Sequence, residues 1–360
     1  MEVCKAVTMA EHTRGIFNIP HLLRPIHYYI VSLTLILIIG SVQISAQSLS
    51  AAADLNKDGD MSPLMDTDDN IINAHGAGVL FHNGTYYLFG EIKKGNTWLV
   101  PDQVWECYRV PAGGVSCYSS KDLKTWKNEG VALATYPNSP VRELDTGRVL
   151  ERPKVIYNSK TQKFVMWLHT DDKWYGDSKC GVAVSDSATG PYRFVGSVKP
   201  NGQMARDMTL FKDDDGRAYL IYASEKNATM HVCLLSDDYL APTTRYKRIL
   251  KNDNREAPAM FKSNGKYFLI TSGCTGWSPN AARYAVGRHP LGPWLRYGNP
   301  CKGPGAGTTF QAQSTFVLPL DNKKDEFLFM ADRWDKLDLE SSTYLWIPFT
   351  MNKGQFFIRR

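Results

Sequence analysis

Short apolar stretches separated by turn residues dominate the chain after residue 70, a pattern that predicts β-strands. The stretches are rich in β-branched and aromatic residues and are broken by Asn-Gly, Asp-Gly and Gly-Pro pairs. One unit recurs five times: an apolar strand, a turn, and a second strand ending in a polar residue. The copies occupy residues 77–91, 153–169, 208–224, 257–273 and 314–332, and another predicted strand pair follows each copy.

Five units of four strands predict an all-β, five-bladed β-propeller, with a β-sandwich as the alternative. The first strand of each propeller blade lines the central channel, so the residues that open these strands should surround one funnel. A polar or acidic residue opens each of them: His75, Glu151, Asp207, Glu256 and Gln313. We therefore expect a functional site there. The alternative is that these residues only hydrogen-bond neighbouring blades.

The N-terminal region differs from the rest. Residues 28–46 carry no charge and approach the ~20 residues that a helix needs to span a bilayer. Basic residues before this run predict a cytosolic tail at 1–27 and a single-pass type II anchor in the lipid bilayer. Residues 47–70 are polar and read as a stem to a domain at 71–360. A cleaved signal peptide ending near Ala46 is the alternative.

Either topology places the domain in an oxidising compartment, a Golgi lumen or, after cleavage, the cell wall. Cys107 and Cys117 flank a short Pro/Gly loop and are the predicted disulfide pair. Asn83 and Asn227 open two sequons and are candidates for N-glycosylation. The formal charge of +6 is spread without a basic run, so we expect no nucleic-acid partner. No motif indicates a metal or another cofactor.

The opening residues suit hydrolysis of a glycosidic bond. This reaction needs one carboxylic acid to protonate the leaving oxygen and a second group to assist the attacking water. Aromatic side chains that could stack on sugars are plentiful, and Trp277 is favoured because turn residues surround it at the end of a strand.

Several segments make the resemblance specific. ERPKV, RDMTLFKDDDGRAYLIY, EAPAMFK, SGCTGWSPN and QSTFVLPL resemble glycoside hydrolase family 43 over residues 70–350. They are most similar to its exo-β-1,3-galactanase-like branch, subfamily 24, and to the membrane-anchored plant members of that branch. The resemblance implies inverting release of terminal galactose from β-1,3-galactan chains of arabinogalactan proteins.

The resemblance also implies roles for individual residues. Glu256, in the Glu-Ala-Pro motif, corresponds to the general acid, and Asp207 to the carboxylate that orients this acid and raises its pKa. Gln313 corresponds to a glutamine proposed to hold the attacking water as its imidic-acid tautomer, with Gln311 as the rival. Glu151 is a second candidate to assist the water. Sugar-binding positions correspond to Glu91, Arg152, Tyr175, Thr275 and Trp277.

Two departures leave alternatives open. Most of family 43 has a catalytic-base Asp at the start of the first blade, where this chain has Asn73-Ala74-His75-Gly76. The galactanase-like branch shares that absence. A truncated fifth blade is the second alternative, since the family continues into further strand sequence beyond the point where this chain ends. The alternative functions are those of an arabinofuranosidase or xylosidase, or of a galactan-binding propeller without catalysis.

Overall fold

The computed structural model describes residues 63–320 and 323–360. The expected cytosolic tail, the apolar run at 28–46 and most of the stem lie outside these residues. Within the described part of the chain, no helix is both long and apolar enough to cross a bilayer.

Five antiparallel sheets form the blades, as the repeats predicted. Blade 1 contains the strands β1 (His75–His82), β2 (Thr85–Lys93), β5 (Ala112–Ser120) and β6 (Lys127–Leu133). A small hairpin of β3 (Trp98–Leu99) and β4 (Tyr108–Arg109) is inserted between β2 and β5. Blade 2 contains β7 (Val149–Asn158), β8 (Lys163–Asp171), β9 (Lys179–Ser185) and β10 (Arg193–Val198). Blade 3 contains β11 (Met208–Lys212), β12 (Ala218–Ser224), β13 (Thr229–Leu235) and β14 (Pro242–Ile249).

Blade 4 contains β15 (Arg255–Ser263), β16 (Lys266–Gly273), β17 (Arg283–Gly287) and β18 (Trp294–Tyr297), and the short strand β19 (Cys301–Lys302) follows it. Blade 5 contains β20 (Gln313–Pro319), β21 (Glu326–Arg333) and β22 (Thr343–Thr350). Short 3-10 helices lie at Arg142–Leu144, Pro200–Gly202, Ala306–Thr308 and Leu339–Ser341. Two hairpins turn on Asn-Gly pairs, Asn83-Gly84 and Asn264-Gly265, with positive φ at both residues, as two-residue type I′ turns require.

The last strand departs from the predicted four-strand blade. After β22 the chain reverses between Asn352 and Gln355, and β23 (Ile358–Arg359) pairs in parallel with β19. Phe356 is buried among aromatic side chains of blades 4 and 5, including Phe268 and Phe349. This aromatic packing directs the segment toward blade 4, so blade 5 has three strands within the described residues.

Hydrophobic clusters join each blade to the next, and the ring closes because one cluster joins blade 1 to blade 5. In that cluster Leu88 of β2 packs with Met330 of β21 and Trp346 of β22. Leu64, which we assigned to the stem, packs against the same cluster, and the Ile72 amide donates to its carbonyl. The folded unit therefore includes residues before 71.

Beneath the funnel, Lys154 of β7 is buried between the first strands of the blades. Its side chain is 2% exposed, and Nζ donates to the carbonyl of Gly76 over 2.7 Å. Burial lowers the pKa of this amine to about 7. The first strands of neighbouring blades pack around the channel, so their opening ends meet above Lys154.

The predicted disulfide between Cys107 and Cys117 is wrong for this structure, because both are buried free thiols. Cys107 packs in the inserted segment of blade 1 with Val100 and Val149. Cys117 lies on β5 in the core between blades 1 and 2. The two side chains thus belong to separate clusters.

Candidate active site

In blades 2 and 4 the opening residue lies at a local irregularity of the first strand that aims its side chain into the funnel. The pairing register shifts immediately after Glu151 in β7 and after Glu256 in β15. The following residues, Arg152 and Ala257, have φ values of 54° and 51°, a left-handed conformation that costs a non-glycine residue ~1–3 kcal/mol. Such bulges redirect side chains. Blade 1 has the same irregularity after His75, with glycine at the left-handed position.

Glu256 lies at the centre of the resulting pocket and accepts hydrogen bonds from three blades. Gln313 Nε2 donates to Oε1 over 3.0 Å, and Asn227 Nδ2 donates to Oε2 over 3.0 Å. The Cys274 thiol also donates to this carboxyl group. The donors fix the orientation of both carboxyl oxygens.

Burial and the charge of Asp207 raise the pKa of Glu256 to about 8, although Arg152, the Cys274 thiol and Arg206 oppose the shift. A carboxylic acid with this pKa is protonated at neutral pH and can act as a proton donor. Asp207 Oδ2 accepts the backbone N–H of Ala257, the residue after Glu256, over 3.0 Å. Asp207 therefore acts on Glu256 through charge and through the backbone that carries it.

The Gln313 side chain is saturated with hydrogen bonds. Its Oε1 accepts from Arg152 Nη2 over 2.7 Å and from Trp334 Nε1 over 3.0 Å, and its Nε2 donates to Ser272 as well as to Glu256. Because both groups facing Oε1 are obligate donors, an Oε1–H would face no acceptor there. This arrangement favours the amide over the imidic-acid tautomer.

Gln311, the rival of Gln313, lies elsewhere. It is exposed, in the turn before β20, and its Nε2 donates to Thr308 Oγ1 over 2.9 Å. Its side chain faces the 3-10 helix and does not line the pocket that holds Glu256.

Arg152 is buried beneath the pocket and links its two sides. Its Nε lies 3.0 Å from Asp207 Oδ2, and its Nη1 donates to the Ser314 carbonyl over 3.2 Å. Together with the bond to Gln313, these contacts leave each guanidinium nitrogen of Arg152 bound to another protein group. The structure thus gives Arg152 a positioning role, whereas the sequence predicted direct contact with sugar hydroxyls.

On the opposite wall, Glu91 and Glu151 flank Lys93. Lys93 Nζ lies 2.9 Å from Glu91 Oε2 and 3.9 Å from Glu151 Oε1. Burial raises the pKa of Glu91 to about 7 despite the Lys93 charge. Burial would also raise the pKa of Glu151, but bonds from His169 and Tyr175 and the charge of Lys93 hold it far below its usual value. The pair therefore offers one carboxyl group that titrates near neutral pH and one that stays ionised.

Three potential metal-binding residues, Glu151, His169 and Asp207, have ligand atoms within 4.8 Å of one another. His169 already bonds Glu151 through Nδ1 at 3.3 Å and Asp171 through Nε2 at 3.1 Å. Burial lowers its pKa, but these carboxylates outweigh burial and raise the pKa to about 9. With His169 protonated and Asp207 paired to Arg152, the side chains neutralise one another and do not suit a metal ion.

Aromatic rings complete a cavity of about 240 Å³. Trp277 and Trp334 meet edge to face with ring centroids 5.3 Å apart, and Trp105 packs against Tyr175 across 5.5 Å. Trp277 Nε1 is buried and has no hydrogen-bond partner among the described residues. Such a ring with a free N–H suits a sugar, which has an apolar face and hydroxyl groups at its edge.

The structure assembles most of the predicted site and corrects part of it. Glu91, Glu151, Arg152, Tyr175, Asp207, Glu256, Trp277 and Gln313 all line the cavity. Thr275 does not: its Oγ1 donates to the Ser278 carbonyl over 2.6 Å and braces the exposed loop. His75 is 1% exposed and stacks on Tyr344 with ring centroids 5.0 Å apart, outside the cavity lining.

Sequence reasoning missed Lys93, His169, Asn227, Cys274 and Trp334, which also line the cavity. Except for Asn227, each lies at or just beyond the end of a blade's second strand. That strand returns to the funnel beside the first, so its final residues were a usable signal. The sequence marks Asn227 only as a sequon, like Asn83, which occupies an exposed turn.

A family model described as glycosyl hydrolases family 43 matches residues 79–302. The chain belongs to this family. A family 43 β-1,3-galactosidase solved with galactodeoxynojirimycin is 42% identical, with a TM-score of 0.76 over 83% of this chain and 97% of that chain. An exo-β-1,3-galactanase of Phanerochaete chrysosporium solved with galactose is 36% identical, with a TM-score of 0.73 over 82% of this chain and 65% of that chain.

A β-D-galactofuranosidase of Aspergillus niger is 30% identical over 190 residues, which cover 49% of this chain and 54% of that protein. The chain thus spans about half the length of this curated relative.

Proposed function

We propose that this protein is an exo-acting glycoside hydrolase that releases terminal galactose from β-1,3-linked galactan, such as the chains of arabinogalactan proteins. The observation that carries the proposal is Glu256, a partly buried carboxylic acid with a raised pKa in an aromatic-lined cavity that opens to solvent. The choice of galactan rests on similarity to the β-1,3-galactosidase and exo-galactanase structures.

In this mechanism Glu256 protonates the glycosidic oxygen as the bond to the anomeric carbon breaks. Asp207 keeps the acid protonated and holds its backbone. Water attacks the opposite face of the sugar from a position beside Gln313, and Glu151 is the second group available to assist the water. This single displacement inverts the anomeric centre.

The wall opposite Glu256 suits recognition of the sugar hydroxyls. Glu91 in its protonated form can donate to one hydroxyl, and ionised Glu151 can accept from another. Tyr175 donates its hydroxyl to Glu151 over 2.7 Å and keeps this carboxylate in place. The Trp277 ring, which lines the same cavity, offers an apolar face for stacking of the galactose unit.

We also propose that the chain belongs to the exo-β-1,3-galactanase-like branch, subfamily 24, as a plant-type member held in the Golgi membrane as a single-pass type II protein. The uncharged run at 28–46 supports this topology, and secretion after signal cleavage is the alternative. Protease treatment of intact microsomes tests it. Digestion of the propeller without detergent would contradict lumenal placement.

Hydrolysis is tested by incubating the full chain, in detergent, with β-1,3-galactan, arabinan, xylan and a synthetic β-D-galactofuranoside. We expect galactose from β-1,3-galactan, with α-galactose as the first-formed anomer by NMR. Glu256→Gln should lower turnover by about 10²–10⁴-fold and leave galactan affinity within a few-fold. Arabinose, xylose or galactofuranose release in place of this product would overturn the substrate. Galactan binding without turnover above that of Glu256→Gln would indicate a binding protein.

A further inference from the structure

The two sequons of this chain occupy very different places. Asn83 lies in the exposed turn between β1 and β2, where a glycan would extend into solvent. Asn227 lies between β12 and β13 and lines the cavity that contains Glu256. The nitrogen that would carry a glycan, Nδ2, is the atom that lies 3.0 Å from Glu256 Oε2.

We infer that N-glycosylation of Asn227 and catalysis are mutually exclusive, so that the occupancy of this sequon sets the active fraction of the enzyme. The inference rests on the function proposed above. In the modification, the Asn227 amide nitrogen attacks the anomeric carbon of an oligosaccharide carried on a lipid diphosphate. The N–C bond forms, the bond from sugar to phosphate oxygen breaks, the lipid diphosphate leaves, and Nδ2 loses one proton.

The glycan would occupy the space required by substrate. It is much larger than a single sugar unit, whereas the cavity measures about 240 Å³, and it would start within hydrogen-bonding distance of the general acid. Asn227 Oδ1 is buried and has no partner among the described residues. Exchanging the positions of Oδ1 and Nδ2 by a rotation of the amide group would therefore move the glycan by no more than the width of that group, and the glycan would still start at the cavity.

The modification can be made only before the chain folds. Thr229, the third residue of the sequon, is 0% exposed on β13, and a transferase cannot reach it in the folded blade. Asn227 itself is only partly buried, and the cavity opens to solvent, so a modified chain can still complete the propeller with its glycan leaving through the mouth. The active fraction is thus fixed during synthesis.

The test uses the full chain in an Asn83→Gln background, produced through a eukaryotic secretory pathway and, in parallel, in the bacterial cytosol. Only the Asn227 sequon then remains, so a lectin column separates modified from unmodified chains, and glycopeptide mass spectrometry confirms the position. We expect a lectin-bound fraction that is folded by circular dichroism and at least about 10²-fold less active on β-1,3-galactan than the unbound fraction.

Thr229→Val in the same background is the matched variant, because it destroys the sequon and keeps the Asn227 amide on Glu256. It should yield no lectin-bound chain, and its specific activity should exceed that of the unfractionated parent by the reciprocal of the parent's unmodified fraction. Thr229→Ser keeps the sequon and should behave like the parent. From bacteria, all three proteins should be equally active, which separates glycosylation from any effect of residue 229 on folding.

A lectin-bound fraction as active as the unbound one, or no modification at Asn227 in the secretory host, would overturn the inference alone, since bacterial protein would still release galactose. Bacterial protein that binds but does not hydrolyse galactan would overturn the proposed function, and this inference with it.

Discussion

Gln313 Nε2 donates directly to Glu256 Oε1 over 3.0 Å, so the residues proposed for opposite sides of the reacting sugar touch each other. An inverting hydrolase separates its acid from its water-activating group by ~6.5–9.5 Å. Binding of a sugar between them must therefore break this bond. Glu256 then loses one donor to its carboxyl group, and the loss further favours its protonated form.

Replacing Gln313 tests the proposed water position. Gln313→Ala removes a side chain held by Arg152 and Trp334 and should lower kcat on β-1,3-galactan by about 10²-fold or more. Gln311→Ala, two residues away in the exposed turn, should leave kcat within about two-fold. An equal loss of kcat in Gln313→Ala and Gln311→Ala would show that the Gln313 side chain has no specific role and that both changes act through the local backbone.

The pH dependence of kcat/KM should report the pKa of Glu256. Activity requires the protonated acid, so it should decline as pH rises through about 8, the raised pKa of Glu256. Asp207→Asn removes a negative charge that raises this pKa, so the alkaline limb should move to lower pH. Asp237→Asn, at a side chain that is 91% exposed, should not move it. An unmoved limb in Asp207→Asn would exclude the charge effect.

Cys274 should lower the pKa of Glu256, whereas Asp207 raises it. Its thiol donates to the Glu256 carboxyl group and so favours the ionised form. Cys274→Ala should raise the pKa of Glu256 and move the alkaline limb to higher pH, whereas Cys274→Ser keeps a donor and should leave the limb at or below its wild-type position. Superimposable profiles for the three proteins would contradict a role for the thiol.

The tight approach of Gly90, on β2, to the backbone of Ala74 gives a prediction on stability. A Cβ at this residue would lie 2.2 Å from the carbonyl carbon of Ala74, and backbone cannot move aside cheaply. Gly90→Ala should lower the free energy of unfolding by at least ~1–3 kcal/mol, measured by urea denaturation. Gly298→Ala, where the added Cβ meets nothing within 4 Å, should change it little. A fully stable Gly90→Ala variant would contradict this packing.

The propeller could be predicted because each blade repeats the same order of apolar strand, turn and polar-ended strand. Glu151, Asp207, Glu256 and Gln313 could be predicted because they occupy one position of that repeat. The resemblance to family 43 then supplied their expected chemistry, and the structure brings all four into one cavity.

Other features could not be predicted because they depend on how separate blades meet. Asn227 contacts Glu256 from a turn of blade 3, and the sequence marks this residue only as a sequon. Cys274 contacts Glu256 from the strand end of blade 4, and the position of Cys274 in the repeat does not reveal this partner. The disulfide prediction failed because spacing along a loop does not reveal that Cys107 and Cys117 belong to different cores. The prediction for Thr275 was wrong because its hydroxyl is used within its own loop, where it donates to the Ser278 carbonyl and accepts from the Asn280 amide.

The amine of Lys154, held by the carbonyl oxygens of Gly76 and Arg152, lies buried where the first strands of the blades meet. We expect it to block passage of a sugar along the channel axis. For the proposed exo-hydrolase, the released galactose and the shortened chain would then leave by the same mouth that admits the next chain end. Galactose should therefore inhibit competitively with galactan, and the enzyme should dissociate from the polymer between cleavages.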